Sequence, residues 1–413
     1  MKKYPLCSLF KSLIFTTLFV LQITNIEATT PISTTALSGN SLILANYLNQ
    51  YAPTSTLDLL NGLTGQQLQS ALNSVSPARN AFQMSVGQQT LFSLSSLLMT
   101  HIDFLRFEYE DHSRNPLLAQ LLAESSDKVR FVEPKASLSF WISGFGEYAH
   151  QQGGNQNPAF HAVSEAALIG LDYNFKKTQA IGWSLGYLHT ELKENHFAGN
   201  ANTNCYFVNT YGEFSASNFY LSPAVWATFN QTQNIRNITL THYLEKVSAT
   251  IISWQVMPHL EIGYDFKFPR GSITHFTEAD WIFTWQSSYQ EKGSLSFNAR
   301  AHSQSTSMLR SETGIKLNQK WATSWGAFLL KEKFSYVFQT PFGTENVSTA
   351  LAGIPTNFTV TAVNQNLNLA SIGLDFGFIL GQRVPGSIHL TFDGQLGSNY
   401  WLADCALRVT KEF

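Results

Sequence analysis

Residues 253–268 read SWQVMPHLEIGYDFKF, and their two sides are chemically unlike. Trp254, Val256, Pro258, Leu260, Ile262, Tyr264 and Phe266 fall on one side, with Gln255, His259, Glu261, Asp265 and Lys267 on the other. A period of two marks a β-strand with one apolar and one polar face. At sixteen residues the stretch is about three times the usual strand of five or six. Such a strand suits a wall with hydrocarbon on one side and polar groups on the other.

The pattern recurs from Ala136 onward. In QAIGWSLGYLH (179–189), Ile181, Trp183, Leu185 and Tyr187 oppose Gly182, Ser184 and Gly186. EADWIFTWQ (278–286) sets Ala279, Trp281, Phe283 and Trp285 against Asp280 and Gln286, and IGLDFGFIL (372–380) and SIHLTFDG (387–394) repeat it. Twelve such strands can be counted. Short connections at 176–179, 215–218, 269–272, 318–320 and 381–386 alternate with longer ones around 148–162, 192–202, 232–249, 288–299 and 339–355. Short turns alternating with long loops are the mark of an outer-membrane barrel, with long loops outside and an even strand number. The reading is an all-β transmembrane barrel, twelve-stranded, antiparallel and up-and-down, preceded by an α-helical segment. A large soluble β-sandwich or β-helix is the rival, but it rarely needs strands this long and carries more Lys and Glu on its exposed faces.

Composition agrees. Charged residues make up 13%, about half the soluble average, and aromatics another 13%. A net charge of -2 lacks the basic surplus of a nucleic-acid binder. Cys7, Cys205 and Cys405 form no disulfide framework and no metal spacing. At the N-terminus, Lys2 and Lys3 precede an apolar stretch from Ser12 to Gln22, with Ala28 as a small residue for cleavage. This reads as a secretory signal peptide over 1–28. Beyond it no run of 18 apolar residues occurs, so no helical span is expected.

Residues 29–107 are of different material. Leu59, Leu60 and Leu63, then Leu91, Leu94, Leu98 and Ile102, recur at helical spacing. A charged linker at 108–135 leads into the barrel at 136–413. The chain closes on CALRVTKEF, where Cys405, Leu407, Val409, Lys411 and Phe413 share a side. In a closed barrel the last strand pairs with the first, so that side faces lipid. Trp141, Trp254, Trp285, Trp325 and Trp401 are candidates for the interfacial girdle.

Three stretches carry a family likeness. LRSETG runs from Leu309 to Gly314, with Arg310, Glu312 and Gly314 on the polar side. TALAGIPTNFTV (349–360) holds Ala352, Gly353 and Pro355. FDGQLGSNYWLADCALRVTKEF (392–413) holds Gly394 and Gly397. With the strand layout, these resemble the C-terminal translocator domain of bacterial autotransporters (type Va secretion), in particular the polymorphic outer-membrane proteins of chlamydiae. The resemblance implies that Phe413 acts in a barrel-assembly signal with Cys405, Leu407 and Val409. It further implies a helix within 76–107 threading the pore, for which the small residues Ser85, Gly87, Ser93, Ser95 and Ser96 are suited. The partners implied are outer-membrane lipid, the barrel-insertion machinery and periplasmic chaperones, for a monomeric protein that binds no nucleic acid. In the family a passenger of several hundred residues precedes the barrel, and some relatives self-cleave at an Asn–Asn pair. Here about 50 residues separate leader and pore helix, and Asn80 stands alone, so a barrel with little cargo is expected.

Motifs that suggest catalysis do not survive their context. GWSLG (182–186) spells a nucleophile elbow, but that chemistry needs a strand-to-helix turn, and Ser184 lies inside an alternating strand. Glu261, Asp265, His259, Glu278 and Asp280 read as lumen-facing groups, and Arg310 and Glu312 as a charged pair beside them. No phosphate loop, dinucleotide fingerprint, HExxH or calcium loop occurs, and no cofactor or metal is expected. The sequons at 237–239, 346–348 and 357–359 carry no weight in a bacterial outer-membrane protein. The expected function is a translocator barrel that exports or displays a short N-terminal segment. The alternative is a structural or channel-forming barrel with a plugging helix.

Overall fold

The computed structural model describes residues 31–111 and 137–413, apart from 36, 154–158, 177–178, 196–198, 241–242, 295, 324–325, 343–345, 362–365 and 381–385. The leader assigned to 1–28, most of the 108–135 linker, the turns at 177–178 and 381–385, and Trp325 lie outside the described residues. Among the described residues four helices come first: α1 (Gly39–Tyr51), α2 (Thr54–Asp58), α3 (Gly65–Val75) and α4 (Ala78–Asp111). Next come β1 (Ser137–Gln151), β2 (Phe160–Lys176), β3 (Gln179–Glu194), β4 (Gly199–Ala216), β5 (Phe219–Leu240), β6 (Tyr243–Phe268) and β7 (Gly271–Gln286). The short strands β8 (Tyr289–Gln290) and β9 (Ala299–Ala301) precede β10 (Gln304–Thr323) and β11 (Gly326–Phe342). A second short pair, β12 (Asn346–Leu351) and β13 (Phe358–Thr361), precedes β14 (Leu367–Leu380), β15 (Gly386–Leu396) and β16 (Tyr400–Glu412).

The twelve long strands form one closed antiparallel barrel, and β8, β9, β12 and β13 form a separate sheet. Closure is made by β1 and β16, in register from Ser139↔Glu412 to Gln151↔Tyr400. The Phe413 amide donates to the Leu138 carbonyl at 2.9 Å, so the pairing runs to the chain end. Closure leaves no unpaired edge, which a backbone in hydrocarbon requires. Pro258 lacks the ladder N–H, and β6–β7 pairing stops at Val256↔Phe283 and resumes at His259↔Asp280 without a shift in register.

The alternation is carried out in three dimensions. Leu260, Ile262 and Phe266 are exposed on the outer face, while Gln255, His259, Glu261 and Asp265 are buried in the lumen. Leu407 and Val409 lie outward with Cys405, and Arg408 and Thr410 inward. Trp254, Trp285 and Trp401 are exposed at one end of the wall, with Tyr173, Phe219 and Phe266 toward the other. From Trp254 to Phe266 the tilted strand climbs roughly 25–30 Å, the height of a membrane-facing band. Trp141 departs from the girdle expectation. It is buried in the lumen, where its indole N–H donates to the Tyr211 hydroxyl at 3.0 Å. Its strand parity points it inward, and Ile142 and Phe140 take the lipid side.

Two of the expected long loops are strand. Residues 232–249 mostly extend β5 and β6 beyond the barrel as a hairpin paired from Leu240↔Tyr243 downward. Ile238, Leu240, Val247, Ala249 and Ile251 alternate inward there, with a polar face opposite. Residues 192–202 likewise belong chiefly to β3 and β4. The connections that are long, at 287–303 and 343–366, contain the four-stranded sheet. They mark this end as the extracellular one, opposite the short turns at 217–218 and 269–270 and the C-terminus.

At the extracellular end, Leu44, Leu48, Leu68, Leu72 and Val75 of α1 and α3 join one apolar cluster with the β5–β6 hairpin and the small sheet. Tyr47 of α1 lies 4.3 Å from the Phe358 ring, centroid to centroid, and donates to the Thr356 carbonyl at 2.8 Å. Burial pushes the Tyr47 hydroxyl above its ordinary pKa, so it stays a donor. Arg236 at the base of the hairpin is buried against Glu291 at 2.5 Å and donates to the Ser74 carbonyl at 2.7 Å.

Candidate functional site

Helix α4 lies inside the barrel. At about 1.5 Å per residue its 34 residues span roughly 50 Å, enough to cross the whole wall. Its first half bonds to strand positions near the extracellular end. Gln88 donates to Thr284 at 2.9 Å and Thr90 to Glu147 at 3.1 Å. Its second half meets the periplasmic end, with His101 3.1 Å from Asp172 and Arg106 3.5 Å from Asp265. The chain thus descends from the extracellular helices through the pore toward β1.

Part of the lumen is apolar. Phe92, Leu94, Leu98 and Ile102 pack against Trp141, Phe207, Trp226, Met257 and Met308. The rest is a charge network, in part on the same strands. Arg310 is fully buried and donates to Glu278 at 2.6 Å, to Asp280 at 3.1 Å and to Glu312. Asp280 also holds His259 at 2.7 Å and accepts from Ser95 of the helix at 3.2 Å. Lys333 spans from Ser96 at 2.9 Å to Asp393 at 3.1 Å. Lower in the pore, Asp103 of the helix draws together Lys316 at 2.7 Å, Lys331, and Arg106 at 2.9 Å. Lys316 in turn reaches Glu261 at 2.6 Å, and the Arg106 guanidinium stacks 3.3 Å over the Tyr220 ring. Each charge of this network has an opposite partner, without which its burial would be prohibitive.

The sequence-marked residues Glu261, Asp265, Asp280, Arg310 and Glu312 all lie in this lumen, joined through helix residues. The helix partners Asp103, Arg106 and His101 were not legible as site residues, nor were Lys316, Lys331 and Lys333. For the lysines a signal existed: each occupies an inward position of its strand. Gly87 has open space around it, and Ser93, Ser95 and Ser96 are buried against the wall. The side chain of Ser85 lies outside the described residues.

The family-motif residues are dispersed. Gly314 of β10 sits where a Cβ would fall 2.3 Å from the Phe334 carbonyl oxygen, so close β10–β11 approach requires it. Leu309 is in the same strand, and Gly394 and Gly397 lie in and after β15. Ala352, Gly353 and Pro355 form an extracellular turn after β12. Ser184 is mid-strand in β3 and donates to Asn209 at 2.5 Å, so GWSLG is wall and not an elbow. Among the described residues no group of three His, Cys, Asp or Glu is placed to hold a metal, and no helix is long and apolar enough to cross a membrane.

Residues 140–391, more than half of the chain, match the autotransporter beta-domain. The chain belongs to the autotransporter beta-domain family. The translocator domain of the autotransporter NalP from Neisseria meningitidis superposes with a TM-score of 0.54 at 14% identity, over 72% of this chain and 95% of that one. The beta domain of the Bordetella autotransporter BrkA aligns at 15% identity with a TM-score of 0.48, over 66% of this chain and 98% of that one. An extracellular serine protease of Serratia marcescens is 22% identical over 266 residues, 63% of this chain. The chain spans about a quarter of that relative's length, 24%. It is thus an autotransporter-type translocator barrel of the bacterial outer membrane with extracellular loops. A translocator barrel is a non-catalytic fold. Helix α4 occupies its pore.

Proposed function

We infer that the barrel carries its own N-terminal helices to the cell surface and keeps them there. The carrying observation is the path of the chain: α1–α3 pack on the extracellular hairpin, and α4 returns through the pore to β1. A chain whose β1 begins at the periplasmic end reaches that arrangement by passing its N-terminal part outward through the barrel. On this reading 29–75 is the displayed segment, 76–107 the pore helix, 108–135 the return linker and 136–413 the translocator, with 1–28 removed as a leader. Cys405, Leu407, Val409 and Phe413 present an outward apolar row to the insertion machinery, periplasmic chaperones escort the chain, and the barrel works as a monomer. The order of LRSETG, the Ala352–Gly353–Pro355 turn and the final hairpin supports kinship with the chlamydial polymorphic outer-membrane proteins.

A second reading, a plugged structural barrel, draws on the dense packing of α4. The test is a cysteine pair, Ser74→Cys with Thr239→Cys, where the Thr239 amide and the Ser74 hydroxyl lie 3.3 Å apart. Mild oxidation of intact cells should link α3 to the hairpin. Absence of the link in cells whose barrel is correctly folded would refute a docked surface segment.

A further inference from the structure

The motif turn at Ala352–Gly353–Pro355 has no part in the pore, and it shapes a cavity. On the extracellular sheet, Gln290 of β8, Arg300 of β9 and Ala350 of β12 are cross-strand neighbours. Ala299 and Ala301 are buried, Ala301 in the apolar cluster beneath, which sends Arg300 to the opposite, exposed face. Ala350 is too short to cover that face, and the space beside Arg300 opens into a cavity of about 350 Å³. The size matches the lower range of small-ligand sites.

One rim is fixed by a tight turn. The Ile354 amide donates to the Leu351 carbonyl at 3.1 Å, and Gly353 takes φ +82°, which a residue with a Cβ rarely adopts. The Ala352 amide ties this turn to the Asn298 carbonyl at 2.8 Å. On the other rim, Asn357 holds the His302 ring at 3.1 Å. Behind them Tyr47 of α1 donates to the Thr356 carbonyl and packs its ring at a tilt against Phe358, so the displayed helices brace the wall.

The lining chemistry is one-sided. It offers a guanidinium, an imidazole and the amides of Gln290, Asn298 and Asn357, with no carboxylate. Ile354 and Pro355 add a small apolar surface. A guanidinium favours a carboxylate, side-chain amides pair with hydroxyls as donor and acceptor, and an apolar patch suits the C–H face of a sugar ring. We propose that this cavity binds a small carboxylated sugar at the cell surface. The site goes beyond translocation and is tested apart from it.

The test uses the full chain refolded in detergent, with glucuronate as probe in calorimetric titration. Glucuronate should bind, with glucose and acetate each at least tenfold weaker. Arg300→Gln should weaken glucuronate by about tenfold or more, the loss expected when a charged hydrogen bond is removed. Lys292→Gln, which removes an exposed cation outside the cavity, should leave binding unchanged. The heat-dependent gel shift of a folded barrel shows that each variant is intact. A glucuronate-ended oligosaccharide separates the two sources. Tighter binding than glucuronate assigns the site to glycan ends, and equal binding assigns it to the free sugar acid. Acetate binding as well as glucuronate, or no loss in Arg300→Gln, would overturn the proposal.

Discussion

Arg310 carries the densest charge in the pore, one guanidinium among Glu278, Asp280 and Glu312. Arg310→Ala strands those carboxylates in a site with no exposure and should cost about 3–5 kcal/mol of folding stability, read as a fall in the midpoint of urea unfolding in detergent. Arg310→Lys should not restore it, because one ammonium cannot reproduce the planar fork shared among three acids. Wall residues of this kind were legible from parity alone, since a period of two assigns each side chain to lipid or lumen. The same parity places Trp141 inside, where an expectation from residue type put it in the girdle. The partners on α4 were not legible. A helix enclosed by the wall is buried on every side, so no amphipathic stripe tells which face meets acids and which meets Trp226.

At the scale of elements, α4 is both plug and tether. Asp103→Asn with Arg106→Gln removes the ion pairs to Lys316, Lys331 and Asp265 while leaving the apolar contacts of Phe92 to Ile102 intact. In planar bilayers this variant should conduct ions measurably more than the parent; equal conductance would mean the packing of Phe92 to Ile102 seals the pore alone. The docked helices have a pH signature through Tyr47. Its folded-state pKa lies above the ordinary value of about 10, so its hydrogen bond stabilises fully below that value and is lost as pH rises through the folded one. Protease resistance of α1 in detergent should hold from neutral pH to about 9 and decline above about 10, and Tyr47→Phe should remove that decline. The β5–β6 extension reads as a loop in the sequence because Asn, Thr and Ser dominate its outward face, and its inward apolar row has meaning only once α1–α3 rest on it. The four-stranded sheet is not legible for a related reason: its strands, of two to six residues, are too short to establish a period.

For the whole molecule, twelve strands, their even number and their closure were all readable, because the lipid on one side and the lumen on the other impose the same rule on every strand. The place of residues 31–75 was not readable, since it depends on the path taken through the pore and not on any local pattern. That place is the central claim. The direct measurement is protease shaving of intact cells carrying one epitope tag in the exposed 61–64 turn between α2 and α3, and a second in the short turn at 217–218. The first tag should be cut from outside while the second stays protected until the outer membrane is opened. Protection of both tags in intact cells, with the 61–64 tag cut only after the membrane is opened, would put the helices in the periplasm and contradict the account.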